Sequence, residues 1–311
     1  MRLALLGVLV LFVMLPAASL SAADYYFSTA GNDGSGDGTI SKPWASLSKL
    51  NGLNLGPGDR VYLRGGDSFS GSVVIAAADA GTAANPVRFA SYGTGRAVIS
   101  PGADQNGFDI YNAAGVEIRQ LEVDGGDLST HNKNGIGLYN DLAGNTRLEH
   151  VVISDCVVRN CHAGITVGAW ASDNSYSGFA DVTIERTLVR DCEDNGIVSW
   201  GMSSSSATSQ SHRNITVRDC EVTGVTGDPD KTDGHSGSGI IMAGTIGGLV
   251  EGCYAHHNGG GGGRPTGGGP VGIWAWGAAD VTIRRSLVHD QKTINGAVDG
   301  GGFDLDGGAV N

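Results

Sequence analysis

Aromatic side chains make up only 6% of the 311 residues. Cations are outnumbered, 20 Lys and Arg against 32 Asp and Glu, for a net charge of −12. Such a chain is a poor partner for a nucleic-acid backbone, and an acidic polymer would bind it only through local cations or a bridging metal ion. Cysteine is scarce. Cys156, Cys161, Cys192, Cys220 and Cys253 contain no Cys-x-x-Cys pair, and their odd count argues against both a zinc site and a full disulfide framework. Beyond residue 15 no apolar run is long enough to cross a bilayer. A Gly-x-Ser-x-Gly elbow on a helix is absent, which leaves Ser-His-Asp hydrolysis without support. Gly reaches 52 residues but does not recur every third position, so collagen is excluded and tight corners are the better explanation.

What the chain has is a repeat. VEIRQLEVDGG (116–126) returns as VVISDCVVRNC (151–161), VTIERTLVRDC (182–192), ITVRDCEVTGV (215–225), GLVEGCYAHHN (248–258) and VTIRRSLVHDQ (281–291). The starts lie 35, 31, 33, 33 and 33 residues apart. A period of this size marks a solenoid whose units bury their apolar faces on one another. Apolar residues alternate within each unit, as in Val182, Ile184 and Val189, which is strand spacing. A second strand follows, opened by Gly and an apolar residue: GITVG (164–168), GIVSW (196–200), GIIMA (239–243), GIWAW (272–276) and GFDLD (302–306). The fold class is therefore all-β, a parallel β-helix. Cys156, Cys220 and Cys253 share one column of the repeat, and Cys161 and Cys192 another, as small apolar residues filling the interior. Asn-Gly at 106–107, 134–135 and 195–196 predicts a corner ladder of turns with positive φ.

Met1 to Ala23 reads as a secretory signal: Arg2, an apolar run from Leu3 to Leu15, then Ser21-Ala22-Ala23. Secretion to the periplasm or beyond follows as an expectation. Residues 24–66 form a cap in which Trp44, Leu47 and Leu50 recur at helical spacing, so that a short helix covers the first coil. Residues 67–311 form the solenoid, with loops inserted at 169–179, 201–212, 226–238 and 259–270. After GGFDLDGGAVN no closing element is evident, which predicts that a continuation or partner covers the last coil.

The run Tyr25–Leu50, with Gly38-Thr39, Pro43-Trp44 and Ser46-Leu47, and the later PGDRVYLRGG resemble the opening of secreted right-handed β-helix proteins. That superfamily includes pectate-lyase-type polysaccharide lyases and the NosD-like and alginate-epimerase-like repeat proteins. The resemblance spans essentially the whole chain after the signal. It implies a right-handed coil and an extracellular polysaccharide as partner. The acidic-His motif of the epimerases and the Arg-x-Pro-x-x-Arg signature of pectate lyases are both missing.

With Ile165, Ile197, Ile240, Ile273 and Phe303 inward, two outward columns follow. One is Asp109, Gly137, Thr166, Val198, Ile241, Trp274 and Asp304. The next is Tyr111, Tyr139, Gly168, Trp200, Ala243, Trp276 and Asp306. Tyr139, Trp200, Trp274 and Trp276 are the candidate substrate platform, since flat aromatic faces suit sugar rings; folding of the loops over them is the structural alternative. Asp299, Asp304 and Asp306, with Asp233, are candidate ligands for a calcium ion, and GFDLD resembles the calcium-binding acidic strand of some β-helix lyases. Lys231, His235 and Arg264 are the candidate bases on neighbouring loops. His256-His257 and His289-Asp290 carry transition-metal chemistry, but adjacent strand residues face opposite ways and no third ligand is evident.

Two functions are compatible with these residues. The first is a polysaccharide lyase on a uronic-acid polymer, with Ca2+ neutralising the carboxylate and Lys231 or His235 removing the C5 proton. Glycoside hydrolysis by two carboxylates, or epimerisation, would use the same scaffold. The second is a non-catalytic glycan-binding or adhesive surface protein.

Overall fold

The computed structural model describes residues 22–130, 133–204, 208–231, 234–261, 269–293 and 300–307. They form a parallel β-solenoid of three sheets, to which successive coils contribute one strand each. The first sheet has ten strands and begins with Asp24–Phe27 and Arg60–Arg64; its repeats include Val116–Arg119, Arg147–Ser154, Gly178–Glu185 and His212–Arg218. The second runs from Ser68–Ser70 through Val157–Arg159 and Tyr254–His256 to Leu287–His289. The third runs from Val73–Ile75 through Ile136–Asn140, Ile165–Ala169, Asn195–Trp200, Ser238–Ala243 and Val271–Trp276 to Gly301–Asp306.

Like stacks on like in the interior. Val116, Val151, Val182 and Ile215 are register partners in the first sheet, and all are buried. Val123, Val158, Val189 and Val222 line the second, and Ile136, Ile165, Ile197, Ile240 and Ile273 the third. Coils ~4.8 Å apart bring each branched side chain onto its copy above and below, so the repeat itself supplies the close packing. All five cysteines are free and buried in this interior, and burial pushes the Cys156 thiol up to about 11.

The turn between the first two sheets is made by one left-handed residue per coil, such as Asp155 (φ 58°), Arg186 (φ 46°), Asp219 (φ 52°) and Arg285 (φ 53°). A second left-handed ladder, Asn160, Asp191, Gly224, His257 and Asp290, ends each second-sheet strand. The Asn-Gly corners do not use this conformation, contrary to expectation. Neither Asn106, Asn134 and Asn195 nor the glycines after them have positive φ. Space explains the glycines instead: a Cβ at Gly135, Gly164 or Gly196 would come 2.2–2.3 Å from Cγ1 of Val158, Val189 or Val222. The asparagines do form a ladder, with Asn106 Oδ1 accepting from Asn134 N at 3.0 Å and Asn195 Oδ1 from Ser238 N at 3.3 Å.

A helix at Leu47–Leu50, capped by Ser46, places Leu47 and Leu50 in the core. Behind it the Asn51 amide donates to Ser72 O at 2.9 Å and accepts from Val74 N at 3.1 Å. One side chain thus satisfies the free edge of the third sheet as a neighbouring strand would. At the other end Phe303 and Leu305 are 52% and 65% exposed, whereas their register partners Ile273 and Ala275 are buried. Among the described residues no strand pairs with that edge. The expected signal, Met1 to Ala23, lies almost wholly outside the described residues, and no described helix is long and apolar enough to cross a membrane.

Candidate functional site

The outward columns of the third sheet form as the alternation predicts. Tyr111 pairs with Tyr139, Tyr139 with Gly168, Gly168 with Trp200, Ala243 with Trp276, and Trp276 with Asp306. In the parallel column Thr166, Val198, Ile241, Trp274 and Asp304 follow one another. Tyr111 stacks on Tyr139 with centroids 6.2 Å apart, and Tyr139 meets Trp200 at 5.7 Å. Gly168 makes room for this: a Cβ there would come 2.4 Å from Trp200 Cζ2, so the indole lies across bare backbone.

Over the lower part of this wall lies a cleft of about 620 Å3, lined by Asp194, Asn195, Trp200, Lys231, His235, Trp274 and Trp276 among others. Its roof is formed by Lys231, Gly234 and His235. Lys231 Nζ donates to both carboxylate oxygens of Asp194 at 2.8 Å, and Asp228 N donates to Ser236 Oγ at 2.7 Å. His235 Nδ1 donates to Gly269 O, 3.1 Å away, and its ring lies 4.2 Å from that of Trp274.

The aromatics therefore differ in kind. Trp200 and Trp276 are 40% and 43% exposed, while Trp274 is 3% exposed beneath His235 and packs with Val198, Ile241, Ala243 and Val271. His235 lies over Trp274, which joins third-sheet strand residues in a second apolar cluster, so Trp274 supports the cleft from below, and the open indole faces are those of Trp200 and Trp276. The buried Trp274 Nε1 has no hydrogen-bond partner among the described residues. Lys231 and His235 do meet in one cleft, but Lys231 is tied to Asp194 by both oxygens, which as an ammonium donor occupies it structurally. Arg264, Asp233 and Asp299 lie outside the described residues. Asp304 and Asp306 share one face of the Gly301–Asp306 strand, beside Trp274 and Trp276.

Sequence reasoning passed over Asp194 and His162. Both sit in the turn entering the third sheet, where His162 N donates to Lys133 O at 3.0 Å, Asp194 N to His162 O at 2.6 Å and Gly237 N to Asp194 O at 2.6 Å. The signal was available as a polar column, Lys133, His162 and Asp194, two residues before each strand-opening glycine. His162 Nδ1 also lies 3.2 Å from Glu193 Oε2. His257, His289 and Asp290, separated in the sequence reading, converge on the far side of the solenoid, with ligand atoms within 4.8 Å of one another.

No family model matches the chain. A stretch of 76 residues, 24% of the chain, is 38% identical to the lacto-N-biosidase of Bifidobacterium longum subsp. longum, of which it covers 5%. The fold superposes on the crystal structure of the GH136 lacto-N-biosidase from Eubacterium ramulus with a TM-score of 0.68 and 17% identity, over 92% of this chain and 55% of that one. It is also similar to XylC in complex with xylose, with a TM-score of 0.64 and 9% identity, over 92% of this chain and 65% of that one. The chain thus spans about half the length of the first of these structures and a small part of the curated relative. The superposition shows the fold: this chain shares the parallel β-solenoid of the Eubacterium ramulus structure.

Proposed function

We propose that the protein is an exported glycoside hydrolase that binds a glycan along the Tyr139–Trp200–Trp276 wall and cleaves it with carboxylates of the Gly301–Asp306 strand. The observation that carries this reading is the register of Trp274 with Asp304 and of Trp276 with Asp306. Two same-face positions on a strand lie ~6.8 Å apart, and the reach of two Asp side chains from there brackets the ~5–9.5 Å over which paired carboxylates hydrolyse glycosides. One carboxyl would protonate the departing glycosidic oxygen. The other would attack the anomeric carbon or activate a water. Asp299 stands close enough in sequence to supply a third.

Charge favours hydrolysis over the uronate-lyase reading. Lys231 is the one Lys or Arg among the described lining residues, and it is already paired with Asp194. A cleft of this character suits a neutral or N-acetylated sugar. The name of the Eubacterium ramulus structure makes a lacto-N-bioside the first substrate to try. The Met1–Ala23 segment fits action outside the cytoplasm, where such glycans occur.

The test incubates the full chain with 4-nitrophenyl β-lacto-N-bioside, lacto-N-tetraose, pectate and alginate, with calcium or with chelator. Release of sugar from a neutral substrate, insensitive to chelator and reduced at least 100-fold in Asp306→Asn or Asp304→Asn, is the expected result. Unsaturated uronate that requires calcium and vanishes in Lys231→Ala would overturn it in favour of a calcium lyase with Lys231 as base and Asp299, Asp304, Asp306 and Asp233 as candidate ligands. Binding without any product would identify a glycan-binding surface.

A further inference from the structure

On the outer face of the second sheet, well away from the cleft, the upper coils carry arginines: Arg159 bridges Glu122 and Asp124 at 2.7 and 2.8 Å, and Arg190 pairs with Asp191. Two coils lower the same rungs hold His256 and His289, aligned in register, followed by His257 and Asp290. Neighbouring residues of a strand would point apart. His257 and Asp290 do not, because each occupies the left-handed turn ladder (φ 54° and 51°), which swings its side chain back to the side of His289. His289 Nδ1 lies 2.7 Å, and His257 Nε2 3.5 Å, from the same atom, Asp290 Oδ2.

We infer that His257, His289 and Asp290 form a binding site for a divalent transition-metal ion of zinc-like chemistry. The donor set is the first argument. Two imidazoles and one carboxylate, with all three ligand atoms within 4.8 Å of one another, need only shifts of about an ångström to surround an ion at the ~2.0–2.2 Å typical of zinc. A fourth position faces solvent and would take water.

The second argument is what holds the imidazoles. A metal-bound histidine normally gives its other ring nitrogen to a protein group that fixes the ring. Both do so here. His289 Nε2 is in hydrogen-bond contact with the Tyr254 hydroxyl. His257 Nδ1 lies 2.7 Å from His256 Nδ1, and His256 Nε2 lies 3.2 Å from Glu221 Oε1. His256 stacks on His289 at 5.2 Å with 18° between the planes, which keeps both rings from rotating. An arginine ladder replaced by histidines for charge alone would need neither the relay to Glu221 nor the tyrosine. It would also bring three imidazoles against only two carboxylates, so that full protonation would crowd like charges.

Calorimetric titration of the full chain with ZnCl2 in a non-chelating buffer tests this. One saturable site per chain is expected. His257→Asn, which suits a left-handed position as Asn160 does three coils above, should weaken it at least tenfold, as should His289→Ala. Tyr254→Phe and Glu221→Gln, which leave the ligands in place, should weaken it by about tenfold. Zinc should raise the melting temperature of the parent chain and not that of His257→Asn, whose metal-free melting temperature serves as the folding control. No saturable binding, or binding that His257→Asn and His289→Ala leave unchanged, would overturn the site.

Discussion

His212 is a fully buried imidazole with both nitrogens engaged. Nδ1 accepts from Phe179 N at 3.1 Å, Nε2 donates to Trp200 O at 2.9 Å, and the ring stacks on Phe179. It therefore fixes the strand end from which the Trp200 indole projects. Burial, helped by Arg147, lowers its pKa from 6.5 to about 4. The neutral form belongs to the fold, so its contribution is complete above pH 6.5 and is lost as pH falls towards 4, where the unfolded chain takes up a proton that the folded chain refuses. The full shift corresponds to roughly 3 kcal/mol. The carboxylate of Glu117, which burial alone would raise but which Arg119 and Arg88 bring down to about 2, titrates in a lower window. Urea midpoints between pH 6.5 and 4.5 should therefore fall in the parent chain and stay nearly level in His212→Gln. At this scale the sequence was least legible. Nothing in the SQSHRN run marks His212 as buried, because its partners Phe179 and Trp200 are 33 and 12 residues away.

The strand is the scale at which the sequence spoke most clearly. Alternation alone put Thr166, Val198, Ile241, Trp274 and Asp304 in one outward column, and the register repeats it rung by rung. It could not tell that Trp274 would be covered, since that depends on the Lys231–Asp194 clamp closing the 226–238 loop, a contact between residues 37 apart with no periodic signal. Nor could it tell why glycine opens each third-sheet strand. The packing gives the reason, and a test: a Cβ at Gly196 would lie 2.2 Å from Val222 Cγ1 and 2.5 Å from Gly239 O. Overpacking of this kind costs ~1–3 kcal/mol, and the backbone carbonyl argues for the upper end. Gly196→Ala should lower the urea midpoint accordingly. In a Val222→Ala background the same substitution should cost measurably less, a coupling that a double-mutant cycle reads directly.

For the whole molecule, stability should be graded along the stack, because each coil is held only by its neighbours. The cap end has Asn51 bonded to the free edge, whereas among the described residues the Gly301–Asp306 strand is paired on one side and exposes Phe303 and Leu305. Amide exchange should be slowest in the strands around Val116–Arg119 to His212–Arg218 and fastest at Gly301–Asp306. Lacto-N-biose at saturating concentration should slow exchange in Gly301–Asp306 selectively, since the proposed carboxylates lie there; equal protection along the chain would count against that location. Repeat and cap residues announced this architecture in the sequence, which also set Lys231 and His235 on a loop beside the wall, whereas the Lys231–Asp194 pair that holds that loop had no sequence signal.

The cleft wall is graduated by the solenoid itself. Trp200 and Trp276 stand on rungs two coils apart, and Asp306 one rung further, so the marks are separated by whole multiples of the strand spacing of ~4.8 Å. Distance from the last aromatic grip to the carboxylates is thus counted in whole coils, and only in whole coils. A chain that gained one 33-residue repeat between 276 and 301 would keep every side chain facing the same way yet move the proposed cutting point along the glycan by one graduation. Product length would then change by discrete steps, as on a ruler.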